Sequence, residues 1–404
     1  MAREEIFNRG NQPILFISPM LPKIDGKGFQ QILWRRIMSV PPQRKIHLVV
    51  VEPIYKWFAF HRQSDCQKKI ENKKINIKFM YPTLQDLFLI PFYLISGTPL
   101  QVILYKNTRF KKFVYDRVNK FENDNCYVLT SRVFTADLNK FNNLLVDFVD
   151  SMYLNFSRRA KNTKNIFKKL LFSYEANRMY FWETNASKKT ITALTVSQLD
   201  QSFISNDKCK VIPIGIDCGI KIGLEKSAKH VVFSGDLGYA PNIEALSYFI
   251  KKCWPAIRQK FPSMEFHIIG RNLNKKNKIR FEEIEGVTIV GEVEDMISIL
   301  KRYKYSVAPM VSGSGMQFKI IEAMFAGPVV LATQIAIGNM QMVNKKHLFI
   351  VNSGKDFLDN ISKLEESPKL LNEIKLNASN AIKQNYSWKK INKLFQQTSW
   401  FTNL

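Results

Sequence analysis

Apolar positions along this 404-residue chain fall into short continuous runs separated by helical patterns. Pro13 to Ser18 (PILFIS) and Ile46 to Val51 (IHLVVV) show no polar alternation, which predicts strands covered on both faces. Between them, a loop with Pro19, Pro22, Gly26 and Gly28 leads into an amphipathic helix from about Phe29 to Met38. Cys126 to Leu129, Leu144 to Val149 and Ile191 to Val196 continue the strand series, the last closing it. Helices are expected at Arg109 to Phe121 and over one long stretch, Arg158 to Trp182, where Phe, Leu and Tyr recur at three- and four-residue spacing. Strand, helix and strand in alternation imply a parallel sheet with helices on both faces.

The pattern then restarts. A stretch from Ser202 to about His230, with Pro213, Gly215, Gly219 and Gly223, reads as a linker. Beyond it, His230–Phe233, Phe266–Ile269, Val287–Val290, Tyr305–Ala308 and Val329–Ala332 read as strands. Helices are expected at Asn242–Cys253 (opened by Pro241), Met296–Arg302 and Met316–Phe325. A last helix, about Trp388 to Phe401, follows the polar break Asn385-Tyr386-Ser387. The fold class is therefore α/β, with two Rossmann-like doubly wound domains facing across a cleft. Residues 1–210 form the first, 211–384 the second, and 385–404 a helix returning to the first. Ligands of such sheets bind outside the carboxyl ends of strands, so the loops after strands are where chemistry is sought.

Composition changes this picture in one respect. At 46% hydrophobic and 23% charged the chain is an ordinary globular one, but it carries a net charge of +26. The excess is greatest in residues 1–210, with 34 basic against 17 acidic residues. Such a field favours polyanions. No nucleic-acid module and no basic helix with interleaved aromatics is found, so nucleic acid is not expected. An anionic membrane surface and a merely solvated Lys/Asn-rich exterior both remain open. Leu87 to Leu94 (LFLIPFYL) is far short of the ~20 residues of a spanning helix. It predicts a buried helix, with a face dipping into a membrane as the alternative. The N-terminus has no apolar core of a signal peptide. Five scattered cysteines without a C-x-x-C pair point to a reducing compartment. A cytoplasmic location follows, on the inner face of the plasma membrane if the membrane alternative holds. No histidine has a metal-ligating partner at useful spacing and no D-x-D lies in a suitable loop, so no metal and no cofactor is expected.

The sharpest constellation runs from Pro309 to Gly327. A strand ends at Pro309, and a Gly/Ser loop, Ser312 to Gly315, leads into a helix. Backbone N–H groups and a helix N-terminus then converge as an anion site. Lys319, one turn in, adds charge for a diphosphate. Glu322, three residues on and close to the same helical face, can accept hydrogen bonds from vicinal ribose hydroxyls. Together these suit a nucleotide diphosphate; a structural helix with a Lys–Glu surface pair is the bland alternative.

This segment resembles the donor site of the retaining glycosyltransferases of family 4, whose fold is called GT-B. Their hallmark is two glutamates eight apart followed by A-x-A/G-x-G-x-P-V-V. Glu322 matches the second glutamate, and Glu322-Ala-Met-Phe-Ala-Gly-Pro-Val-Val330 keeps the rest, one residue shorter at the proline. Ser314 stands where the first glutamate, which faces the donor sugar, would be. A subset of the family carries G-x-G-x-x-x-K-x-x-E here, and Gly313, Gly315, Lys319 and Glu322 fit it. The resemblance extends along about 330 residues. Phe233-Ser-Gly-Asp-Leu-Gly-Tyr-Ala-Pro-Asn-Ile-Glu-Ala resembles the first loop of the nucleotide domain, giving Gly235 and Asp236. Ile268-Ile-Gly-Arg271 is similar to the strand that delivers a basic residue to the diphosphate, and Val287 to Asp295, with Glu292, to the loop bordering the base. Val196-Ser-Gln-Leu-Asp200 and Ile212-Pro-Ile-Gly-Ile-Asp217 resemble the domain junction, and Ser18 to Gly28 the glycine loop that meets phosphates and acceptor.

The resemblance implies a retaining, metal-independent transfer from a nucleotide-diphosphate sugar to a glycan or lipid-linked glycan acceptor in bacterial-type cell-surface polysaccharide synthesis. Lys319, Glu322 and Arg271 would carry the chemistry. Gly235, Asp236, Gly313, Ser314, Gly315 and Glu292 would hold the nucleotide sugar. Gly26, Lys27, Gly28, Arg132 and Asp150 would form the acceptor and phosphate loop. A GT-B scaffold without activity, serving as an interaction subunit, is the alternative.

Overall fold

The computed structural model describes residues 13–24, 28–56, 66–70, 73–120, 125–163, 165–188, 190–204, 207–218, 228–312, 317–338 and 340–404. The chain divides into two units, Met1–Pro213 with Asn392–Leu404, and Ile214–Ile391.

In the first unit an eight-stranded sheet is built from β1 (Ile14–Ser18), β2 (Ile46–Val51), β3 (Cys66–Ile70), β4 (Lys73–Met80), β5 (Asn125–Leu129), β6 (Asn143–Val149), β7 (Thr192–Thr195) and β8 (Cys209–Val211). Their spatial order is β3-β4-β2-β1-β5-β6-β7-β8, parallel throughout except for β3 against β4. Every residue of β1, β5 and β6 is buried, which is why these segments read as unbroken apolar runs. One charge is sealed among them: Asp147 of β6 takes Arg36 Nε at 3.2 Å and the Tyr127 hydroxyl at 2.9 Å. The Arg36 guanidinium also lies 4.5 Å from the Phe395 ring. The C-terminal segment is anchored here too, as Trp400 Nε1 donates to the Asn143 carbonyl at 3.0 Å.

The second unit holds a six-stranded sheet of β9 (Ala228–Ser234), β10 (Phe266–Ile269), β11 (Val287–Gly291), β12 (Tyr303–Ala308), β13 (Val329–Ala332) and β14 (Phe349–Ile350). Their order is β11-β10-β9-β12-β13-β14, all parallel. The chain winds from β9 through β10 to β11 on one side, then from β12 outward on the other. The switch point therefore lies between β9 and β12.

Several expectations are corrected. The apolar run Leu87–Leu94 is not a buried helix. It spans two short helices, Leu84–Phe88 and Ile90–Ile95, and the second has no buried residue. Pro91 sits in the first turn of that second helix, where its missing N–H has no partner to lose. The long helix at Arg158–Trp182 is two, Met152–Asn162 and Ile166–Lys188. Ile191–Val196 does not close the first sheet, because β8 follows inside the supposed linker. The antiparallel pair β3 and β4 adds two strands to those expected. Buried Ile75 and Ile77 alternate with exposed Asn76 and Lys78 along β4, the mark of a strand with one face exposed.

Candidate active site

The switch point gathers the loops after β9, β10, β11 and β12. The backbone approaches itself closely there. Gly235 N donates to the Ile269 carbonyl at 3.0 Å and Leu237 N to that of Arg271 at 2.8 Å. A Cβ on Gly270 would lie 1.9 Å from the Gly235 carbonyl oxygen, so only glycine fits.

Lys319 and Glu322 both lie on the helix Phe318–Ala326, which leads away from β12. They are not ion-paired with each other. Lys319 Nζ instead donates to Asn242 Oδ1 at 2.7 Å, contacts Met310 Sδ at 3.4 Å and lies 4.2 Å from the Phe233 ring. Burial alone pulls its pKa from 10.5 to about 7. No described residue hydrogen-bonds the Glu322 carboxylate, and burial pushes its pKa up to about 7. A cation without a carboxylate and a carboxylate without a cation, side by side and poorly solvated, are what an anionic ligand with hydroxyl groups would complement.

Arg271, beyond β10, is held between two acids. Its Nη2 lies 3.2 Å from Asp236 and its Nη1 3.7 Å from Glu292. Asp236 also accepts from Asn272 Nδ2 at 2.9 Å and Gly238 N at 3.0 Å. Burial works against ionisation of Asp236, but the hydrogen bonds from Asn272, Gly238 and Arg271 outweigh it and hold the carboxyl below its usual range. Asp236 thus positions Arg271 and shapes its own loop. Gly313, Ser314 and Gly315 lie outside the described residues. Ser312, just before them, donates its hydroxyl to Glu244.

Asn242 and Glu244 were missed by sequence reasoning. Asn242 is buried at the start of the helix Ala240–Lys252 and bridges the loop after β9 to the helix Phe318–Ala326. Its Nδ2 donates to the Asp236 carbonyl at 2.8 Å while Oδ1 receives Lys319. The Pro241-Asn242 pair after a glycine loop was the available signal.

In the first unit, Gly28 opens the helix Gly28–Ser39, while Gly26 and Lys27 lie outside the described residues. Arg132 follows β5 and Asp150 follows β6, the next strand. Arg132 Nη2 contacts Met152 Sδ at 3.3 Å. Burial, then the neighbouring Asp200, pushes the Asp150 pKa to about 6 against the opposing pull of Arg132. Beneath them Glu183 accepts from the backbone of Met152 at 2.9 Å and from Ser151 Oγ at 3.0 Å. Its burial raises its pKa to about 7.

Residues 228–367 match the family model described as glycosyl transferases group 1. That segment is a glycosyltransferase domain. It contains the loops, Lys319 and Glu322 described above. The chain is also 25% identical over 256 residues to an uncharacterized 44.6 kDa protein in the cps region of Klebsiella pneumoniae. That match spans 58% of this chain and 65% of the relative, so it leaves a third of the relative unmatched. Among solved structures, Anabaena Alr3699/HepE in complex with UDP superposes with a TM-score of 0.62 at 13% identity, covering 96% of this chain and 99% of that one. The alpha,alpha-trehalose 6-phosphate synthase of Burkholderia multivorans gives 0.57 at 10%, covering 95% and 97%. A mutant of S. aureus TarM gives 0.55 at 15%, covering 71% and 58%. The two parallel α/β sheets are thus those of the GT-B fold.

Proposed function

We propose that the protein is a retaining glycosyltransferase of the family 4 type, moving a sugar from a nucleotide-diphosphate donor to a glycan acceptor in cell-surface polysaccharide synthesis. The observation that carries this is the pairing of half-buried, mutually unbridged Lys319 and Glu322 at the switch point, with Arg271 delivered from the neighbouring strand. Arg271 and Lys319 would meet the diphosphate charge in place of a metal. Glu322 would accept the ribose hydroxyls. The acceptor hydroxyl would bond to the anomeric carbon on the face from which the diphosphate departs. Its proton would pass to the departing phosphate oxygen, so no protein nucleophile is required. The HepE structure contains UDP, which puts uridine donors first, and the cps-region relative supports a surface polysaccharide as product.

We place the acceptor at Arg132 and Asp150 in the first unit, and that unit on an anionic membrane surface. No described helix is long and apolar enough to cross a membrane. A large apolar face is nevertheless exposed: Phe88 (82%), Phe92 and Ile95 (86%) lie on the two short helices, and Ile166, Phe167 (79%), Leu170 and Phe181 on Ile166–Lys188. The two parts are joined, since Arg178 donates to the carbonyls of Leu94 at 2.7 Å and Thr98 at 3.1 Å. Lys168, Lys169 and Arg178 border the face, the composition that suits a lipid headgroup layer.

A panel of nucleoside diphosphates scored by thermal shift, followed by transfer assays with the matching sugars, tests the donor site. One nucleotide class should stabilise the protein, by about 2.7 kcal/mol at one hundred times its Kd. No stabilisation by any of them, and no donor turnover, would overturn the proposal. Binding to anionic vesicles that fades with salt tests the membrane face.

A further inference from the structure

At the amino ends of the strands of the second sheet, the register of β9 and β10 gathers three side chains of metal-ligating type. Phe266 pairs with Val231, so Glu265 lies beside His230, and His267 follows Glu265 by two on the same face. One ligand atom from each of His230, Glu265 and His267 lies within 4.8 Å of the others. These residues stand at the amino ends of their strands, whereas Gly235 and Arg271 stand beyond the carboxyl ends, roughly 13–17 Å away at strand rise. The cluster is therefore separate from the site above and independent of the function proposed for it.

The hydrogen bonds prepare the set for a cation. His267 Nε2 lies 2.8 Å from the Glu265 carboxylate and its Nδ1 2.9 Å from the Tyr303 hydroxyl. Without a cation, Nε2–H donates to that carboxylate and Nδ1 accepts from Tyr303; a cation taking the place of this proton would leave Nδ1–H to donate to the Tyr303 oxygen. An imidazole fixed through its second nitrogen is the usual arrangement behind a metal ligand. His230 Nδ1 accepts the Glu265 N–H at 3.3 Å, so it carries a lone pair, engaged only by a long bond. The two rings stack at 4.9 Å and 25°.

We propose that His230, Glu265 and His267 bind a divalent cation of the zinc class, with Tyr303 as the positioning residue for His267. Two imidazoles and one carboxylate with a coordination place left for water suit zinc better than magnesium or calcium, which prefer all-oxygen sets. Bonds of about 2.1 Å in a tetrahedral site place ligand atoms about 3.4 Å apart. Glu265, 47% exposed at its side chain, can rotate to close the remaining gap. A bound ion would staple β9 to β10 and, through Tyr303, to β12.

The full-length protein, stripped with EDTA, is titrated with zinc by calorimetry and by thermal melting, and with cobalt by visible absorption. One equivalent per chain, a raised Tm and cobalt bands of a tetrahedral or five-coordinate site are expected. His230→Gln and His267→Gln should each abolish them. Tyr303→Phe should weaken binding by roughly 10–100-fold. No saturable zinc, or equal stoichiometry and affinity in both histidine variants, would overturn the proposal and leave a hydrogen-bonded His–Glu pair. Should the histidine variants fail to fold, wild-type cobalt spectra decide it: only six-coordinate, aquo-like bands would overturn the site.

Discussion

Lys319→Met is the most informative single change. Methionine keeps the length and the contacts with Phe233 and Met310 but removes the charge. The lysine pKa falls from 10.5 to about 7 through burial. At 1.36 kcal/mol per pH unit, keeping the ammonium charged in the folded chain costs at most about 5 kcal/mol. The hydrogen bond to Asn242 offsets part of that. Because the folded pKa lies below the unfolded one, the folded chain releases this proton first. The penalty is full below about pH 7 and disappears as pH rises toward 10.5, so wild-type stability should climb across that window. Lys319→Met should abolish that climb and be no less stable than wild type at pH 7. It should also lower kcat/KM by about 100- to 1000-fold, the effect of removing one preorganised charge from a developing anion. Denaturation across pH 6–10, a nucleotide thermal shift and steady-state transfer kinetics read the three quantities. A variant that keeps its nucleotide shift and loses less than about threefold in kcat/KM would refute the diphosphate role.

Glu322→Gln should cut transfer while steadying the protein between pH 4.5 and about 7. The raised carboxyl pKa makes wild-type stability fall as pH rises through that window, by up to about 3 kcal/mol in urea titrations, and the amide removes the slope. Gly270→Ala should lower Tm and weaken nucleotide binding together, since its methyl would meet the Gly235 carbonyl at 1.9 Å; an unchanged melt would show that the loop yields freely. Arg36→Met should cost about 3–5 kcal/mol by leaving Asp147 uncompensated, with a denaturation midpoint as the readout; Arg36 and Asp147 are only 2% and 1% exposed. Phe92→Asp with Phe167→Asp should abolish vesicle binding without lowering Tm, because both rings are already in water.

Much of the fold was legible because a parallel sheet buried on both faces demands unbroken apolar strands. β1, β2, β5 and β6 satisfy that locally, without reference to the rest of the chain. The helix carrying Lys319 and Glu322 was legible for a similar reason: its apolar periodicity lies within the few consecutive residues Phe318–Ala326. What escaped depends on contacts distant in sequence. The run Leu87–Leu94 is as apolar as a core element, and nothing within it says which side of the domain it lies on. Asn242 gains its role only when β9 and β12 become neighbours and bring Lys319 to it across 77 residues. His230 meets Glu265 and His267 because two parallel strands align Val231 with Phe266, a register that histidine spacing along the chain does not encode. The alternation of elements and the helix Phe318–Ala326 follow from physical causes that act within a few residues. Which apolar face stays in water, which carboxylate restrains Arg271 and which histidines come together are set instead by contacts between elements distant along the chain, through strand order and register.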